Sequence, residues 1–281
     1  MNAESIDPFD AAHDAAQLRV VLVGTQHPGN IGSAARAIKT MGLSRLVLVA
    51  PERFPHQEAD ALAAGAADVL AGAAVFDTLS EAVAECRLVL GCTARDRRIA
   101  LRQWTPRDAA GQAVATAHEG GAVALVFGCE RTGLSNEELQ LCHAAVHIPS
   151  DPVYSSLNLA MAVQVLAYEL RLALVSGIDH APTGEPCGIP ASHLQLEGLF
   201  KQLADTLEAI DFHKGRAPES AMRKLRRLFV RANLDEREVR LLRGVLADAQ
   251  RMARLAGADA SQPEQFPDWP LAAAASGRQT P

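Results

Sequence analysis

IPSDPVYSSLN, residues 148–158, joins a short apolar strand pattern at 144–148 to an apolar helix pattern that reaches about Val175. Its Pro-containing loop delivers Ser155, Ser156 and Asn158 at the point where the helix begins. Segments 25–36 and 128–134 have the same form: a strand end, then Gly and polar residues, then a helix start. In an α/β sheet the loops leaving the carboxyl ends of strands line the ligand crevice. These three junctions, together with residues 92–95 after a fourth apolar run, are therefore the candidate site.

Working outward, apolar runs at 19–23, 45–50, 74–76, 87–92, 122–127 and 144–148 alternate with helix patterns. Gly42 stands at the C′ position of the helix that follows residue 30, and 57–67 reads as one Ala-rich helix. Thr78/Glu81 and Ser135/Glu138 have capping-box spacing, and Thr105-Pro106 fits N-cap plus N1. Continuous apolar strands between helices predict an α/β domain with a mostly parallel sheet, over residues 18–176. Residues 1–17 read as a frayed acidic leader, without the basic residues of a targeting sequence. Residues 177–192 hold Pro182, Pro186, Pro190, Gly184 and Gly188, the composition of a linker. An all-helical extension of three helices follows over 193–257, and 258–281 has the Ala/Pro/Ser/Gly content of a disordered tail.

Composition removes several functions. No G-x-G-x-x-G follows a strand, no G-x-x-x-x-G-K-[ST] is present, and no G-x-S-x-G elbow occurs. A Rossmann dinucleotide site, a P-loop hydrolase and a serine hydrolase are excluded on that ground. The five cysteines (Cys86, Cys92, Cys129, Cys142, Cys187) form no C-x-x-C pair, and His27, His143 and His147 match no metal spacing. The expectation is a chain without a structural metal, in a reducing cytoplasm. The run 157–175 is interrupted by Asn158, Gln164, Glu169 and Arg171, which points to a buried helix rather than a membrane span. The net charge of −6 hides a segregation: residues 213–254 hold twelve Lys/Arg against five Asp/Glu, net +7, and the remainder carries −13. Such a basic block can mark a polyanion-binding face.

NIGSAAR (30–36), FGCERTGL (127–134) and IPSDPVYSSLNLAM (148–161) resemble, in order, the three motifs of the SpoU branch of the SPOUT methyltransferases. Within that branch, and over about residues 18–255, the chain is most similar to the TrmJ group. Those enzymes are tRNA cytidine/uridine 2′-O-methyltransferases acting at position 32, the first nucleotide of the anticodon loop. The resemblance implies a SPOUT-type fold with a trefoil knot at the end of the α/β domain, and a homodimer. It also implies S-adenosylmethionine held largely through main chain by Cys92, Thr93, Ala94, Gly128, Ile148, Ser155, Ser156 and Leu157. Arg36 would act on the ribose 2′-hydroxyl, with Asn30, Glu130, Ser156 and Asn158 completing the constellation. A guanidinium is permanently protonated. Arg36 is thus expected to orient the hydroxyl and stabilise the developing alkoxide, which leaves the proton's destination open. The basic residues Arg223, Lys224, Arg226, Arg227 and Arg231 are the candidate contacts to the tRNA backbone.

Each residue also has a plainer reading. Asn30 and Ser135 make good N-caps, Ser156 and Asn158 can cap the long helix, Arg36 can be a solvated surface residue, and Glu130 can pair with Arg131 or Arg95. Two rival functions stand beside the main one: a SpoU-type enzyme acting on ribosomal RNA or another tRNA position, and an RNA-binding protein without catalysis.

Overall fold

The computed structural model describes residues 8–94, 101–176, 188–214 and 217–258. Its elements are α1 (Pro8–Gln17), β1 (Leu18–Val23), α2 (Pro28–Thr40), β2 (Arg45–Val49), α3 (Gln57–Ala63), α4 (Ala67–Ala71), β3 (Ala74–Phe76), α5 (Leu79–Ala82) and β4 (Leu88–Cys92). They continue with β5 (Arg102–Trp104), α6 (Pro106–His118), β6 (Val123–Phe127), α7 (Asn136–Gln140), β7 (Ala144–Val146), α8 (Leu159–Ser176), α9 (His193–Ala209), α10 (Pro218–Ala232) and α11 (Glu236–Ala258).

The strands form one parallel sheet in the order β3-β2-β1-β6-β4-β7-β5. Side chains alternate across a strand, so each apolar run feeds two cores. Val20, Leu22, Leu46, Leu48, Leu90 and Leu125 face α2, α6 and α8, whereas Val21, Val23, Val47, Val49, Val89 and Val126 meet Leu79, Leu134 and Leu139 on the other side. By length and composition α8 could cross a membrane. Here Leu159, Val163, Leu166, Ala167, Leu170 and Leu174 are buried and the helix packs on α2 and α6, so it is a core helix of the α/β domain.

Local expectations are corrected in the leader, the 57–67 helix and part of the linker, and one strand is new. Residues 8–17 are not a frayed leader: they form α1, which packs on α6, with Asp14 buried and its carboxylate 3.2 Å from the His118 ring. The single helix over 57–67 is broken into α3 and α4, because Ala64 and Gly65 adopt positive φ of 43° and 93°. The edge strand β5, Arg-Gln-Trp, has no apolar run to announce it. Of the expected linker, residues 188–192 pack against the α10–α11 turn: Ala191 N donates to Leu234 O, and Glu236 N to Ile189 O. Its remainder (177–187), the tail beyond 258, Cys187 and Arg95 lie outside the described residues.

Contact between α2 and α3 depends on Gly32. A Cβ there would lie 2.0 Å from the carbonyl oxygen of Ala59, which is backbone and cannot rotate away. Gly32→Ala is expected to destabilise the protein by about 1–3 kcal/mol through overpacking. Thermal denaturation reads this directly, and an unchanged midpoint would mean that the two helices slide apart freely.

The helical extension builds a core of its own from Leu196, Leu199, Phe200 and Val239, with Phe229, Leu242 and Leu246 against them. It docks on the α/β domain through backbone: His193 N donates to Cys86 O and Leu194 N to Ala84 O, both at 2.9 Å. Arg226 belongs to this dock. Its guanidinium pairs with Glu197, lies 4.6 Å over the Phe200 ring and donates from Nε to Gln140 O. Arg226 is thereby removed from the expected set of exposed RNA contacts. His143 and His193 line the same junction, and burial pushes both imidazoles down to about 4, so they stay neutral there.

Candidate active site

The chain reverses its winding direction beside β1, which has β2 on one side and β6 on the other. The carboxyl ends of β1, β4, β6 and β7 and the loops leaving them gather there, as the crevice rule requires. Two cavities open at this end. One, of about 310 Å³, is lined by Cys92, Thr93, Ala94, residues 127–133, Val146, Ile148, residues 155–159 and Ala162. All eight residues expected to hold the cofactor lie along it. The other is an open cleft of about 750 Å³, lined by His27, Gly29, Asn30, Ser33, Arg36, Ala37, Thr40 and Leu62 of the β1–α2–α3 segment and by Asn158, Ala160, Met161 and Gln164. Asn158 belongs to both.

A hydrogen-bonded chain stands between the cavities. Asn158 Nδ2 donates to Asn30 Oδ1 at 3.0 Å, and Asn30 Nδ2 donates to Glu130 Oε1 at 2.8 Å. Glu130 also accepts the backbone N–H groups of Gln26 and His27, at 3.0 and 3.2 Å. Its carboxylate therefore sits at the N-terminus of α2, where unpaired N–H groups and the helix dipole favour negative charge. Partial burial alone would raise its pKa. The bonds from Gln26 N, the Asn30 amide and His27 N outweigh that and hold it below the ordinary carboxylate value.

Asn30 is consequently not the N-cap of α2. Pro28 occupies N1 and His27 is the cap residue, which places Asn30 inside the first turn with its amide free for Glu130 and Asn158. Asn158 serves both readings, because its Oδ1 accepts from Ala160 N at the start of α8 while its Nδ2 reaches Asn30. Ser135 is a cap and nothing more, closing a box with Glu138. Ser156 is exposed along the smaller cavity. Arg36 is exposed in the cleft and has no ion pair or hydrogen bond among the described residues. The cleft also contains His27 and Ser33 of the candidate segment 25–36, and Thr40 and Gln164, to none of which the sequence assigned a role in the site. For His27 the signal was available: it lies in the same post-strand loop as Asn30.

A glycine at 128 has a local physical reason. The loop after β6 folds back on itself, Gly133 N donating to Cys129 O, and a Cβ on Gly128 would lie 2.2 Å from Leu134 N. The glycine permits this closure, and the closed loop forms one wall of the smaller cavity. The remaining lining mixes apolar and polar side chains, as a ligand with both a heterocycle and polar groups requires. Phe127, Val146, Ile148, Leu157 and Ala162 supply apolar lining, while Glu130, Arg131 and Thr132 supply polar lining. Cys92 is pushed far up by burial, so its thiol stays neutral and offers no charge to a ligand.

Among the described residues no group of three or more His, Cys, Asp or Glu is arranged to hold a metal ion. Residues 17–168 match the SpoU rRNA Methylase family, and residues 194–258 match the C-terminal domain of the tRNA methyltransferase TrmJ. The chain belongs to the SpoU methylase family. The tRNA (cytidine/uridine/adenosine-2′-O-)-methyltransferase TrmJ of Pseudomonas aeruginosa is 49% identical over 246 residues, which are 85% of this chain and 95% of that protein. The tRNA (cytidine/uridine-2′-O-)-methyltransferase TrmJ of Escherichia coli K12 is 48% identical, covering 83% and 95%. The crystal structure of TrmJ from Z. mobilis ZM4 superposes with a TM-score of 0.70 at 36% identity, over 82% of this chain and 97% of that one.

Proposed function

We propose that this chain transfers a methyl group from S-adenosylmethionine to a ribose 2′-hydroxyl of tRNA, at cytidine or uridine in position 32 of the anticodon loop. The observation that carries the reading is the Glu130–Asn30–Asn158 chain, which joins a pocket fit for the cofactor to an open cleft lined by the exposed Arg36. When bound, the cofactor supplies an electrophilic methyl on a sulfonium. Everything else is positioning by the chain's own residues, which can account for much of a bimolecular barrier. Main chain and short side chains at 92–94, 128, 148 and 155–157 hold the methyl donor. Asn30 and Asn158, fixed by Glu130, set the edge between donor and acceptor. Arg36 orients the hydroxyl and its neighbouring phosphate and stabilises negative charge on the attacking oxygen.

The basic face of α10 carries the tRNA backbone in this proposal. Arg223, Lys224, Arg227 and Arg231 are exposed, and α10 has no fully buried residue. The enzyme acts as a homodimer in the cytoplasm; support for the dimer comes from Met161, which lines the cleft, and Tyr168 and Val175, all three exposed on α8 at seven-residue spacing. The trefoil knot is part of the same proposal. The loops leaving β6 and β7 cross one pocket before α8 turns back onto α2 and α6, and so rare a topology calls for direct proof.

The test is transfer of labelled methyl from S-adenosylmethionine to tRNA, with the product mapped by nucleotide. Label at the ribose of nucleotide 32, and none on tRNA carrying a 2′-deoxyribose there, is the expected result. Label on ribosomal RNA alone would favour the rival substrate, and no transfer to any RNA would favour a binding protein.

A further inference from the structure

The proposed transfer needs an acceptor for the 2′-hydroxyl proton, and the residues lining the cleft narrow the choice. Arg36 is permanently cationic. Asn30, Asn158 and Gln164 are amides, and Ser33 and Thr40 are hydroxyls, none of which takes a proton near neutral pH. Glu130 is committed to three hydrogen bonds and held below the usual carboxylate range. His27 is left as the one cleft-lining side chain, among the described residues, with a basic nitrogen suited to neutral pH.

Its surroundings fit that role. The His27 side chain is 60% exposed in the cleft, and its Nδ1 stands 3.4 Å from Oε1 of Glu58 on α3. A carboxylate beside one ring nitrogen stabilises the imidazolium that forms when the other nitrogen takes a proton. Gly29 makes room for the pair. A Cβ there would lie 3.1 Å from Glu58 Oε1, 3.2 Å from His27 Nδ1 and 2.7 Å from Leu62 Cδ1. The backbone N–H of His27 donates to the same Glu130 that fixes Asn30, so base and amide are held by one carboxylate.

We propose that His27, oriented by Glu58, is the general base of the methyl transfer, an inference that rests on the function proposed above. The 2′-O–H bond breaks and its proton goes to Nε2 of His27. The oxygen's electron pair forms the O–CH₃ bond, and the C–S bond breaks with its pair passing to sulfur, leaving a neutral thioether. The charge of the sulfonium ends as the proton on His27, which solvent then removes. Glu58 from α3 is the charged group against the ring; Glu130 from the loop after β6 holds the His27 backbone, Arg36 from α2 lines the same cleft, and Glu52 holds the neighbouring Gln26 side chain at 2.8 Å.

The test compares wild type, H27Q, H27A and E58Q in single-turnover transfer at saturating S-adenosylmethionine and tRNA, with binding of each measured separately. H27Q is expected to bind both ligands as wild type does and to lose about 10²-fold or more in single-turnover rate, the usual contribution of a general base. Wild type should show an acid-side limb in its pH–rate profile, because the protonated ring cannot accept, and H27Q should lack it. Added imidazole should restore part of the H27A rate, and E58Q should fall between wild type and H27Q. A ¹⁵N spectrum of the imidazole, which needs no turnover, should place the ring proton on Nδ1 facing Glu58. A wild-type rate for H27Q in an enzyme that methylates tRNA overturns the inference and leaves the proposed function standing. So does an H27Q defect confined to tRNA affinity. Wild type that methylates no RNA removes both.

Discussion

Arg36→Lys is expected to leave S-adenosylmethionine and tRNA affinity near wild type and to lower single-turnover methyl transfer by about 10²–10³-fold, the loss typical of removing one oxyanion-stabilising donor. Arg36 lies nine residues beyond the N-cap of α2, exposed in the larger cleft with Asn30 on the same wall. Among the described residues it has no ion pair or hydrogen bond, so its guanidinium faces the cleft ready for substrate. Lysine keeps the positive charge, so long-range attraction to tRNA survives. It loses the planar fork that can hold a hydroxyl and a phosphate at once. If His27 takes the proton, Arg36 need only hold and stabilise the oxygen, and the defect should appear at every pH rather than in one limb of the profile. Near-wild-type transfer by Arg36→Lys would show that charge alone suffices and would sink this account. Loss of tRNA affinity in step with rate would reassign Arg36 to binding.

What was legible in the sequence was local or motif-borne. The run 19–23 became the interior strand β1, Gly42 took the positive φ of 78° that a C′ position asks for, and Thr78 and Ser135 closed their capping boxes. The three motifs led to the two cavities because each motif is a strand-end loop, and strand ends of a parallel sheet gather at one edge. What was not legible depends on partners far along the chain. The acidic stretch 8–17 folds because α1 finds α6, with Asp14 meeting His118 from 104 residues away. Asn30 looked like a cap because its composition allows it. Only Glu130 and Asn158, 100 and 128 residues distant, show why its amide points elsewhere. Arg226 was read with its basic neighbours because charge is visible in sequence. Burial against Phe200 and Gln140 is not.

That separation of Arg226 from its neighbours gives the second large effect. Arg223, Arg227 and Arg231 recur every four residues and so form one stripe of α10, with Lys224 beside it; all four are exposed. Replacing the four by glutamine keeps helix propensity and touches no core residue, so folding and S-adenosylmethionine binding should be unchanged. If these side chains neutralise tRNA phosphates, the salt dependence of binding should flatten. The slope of log K against log[salt] should shrink by about 3, at roughly 0.7–0.9 per lost contact. Affinity at low salt should fall by about 100-fold, as four exposed ionic contacts at about 0.5–1 kcal/mol each would give. Fluorescence anisotropy over a salt series reads both quantities, and single-turnover transfer at saturating tRNA should recover, because none of the four lines either cavity. Arg226→Met is the control with the opposite signature. It strips Glu197 of its partner and should lower the thermal midpoint while leaving the salt slope where it was. A quadruple variant with an unaltered slope would mean that α10 carries no phosphate contacts and that the extension serves the dock at Cys86 and Gln140 instead.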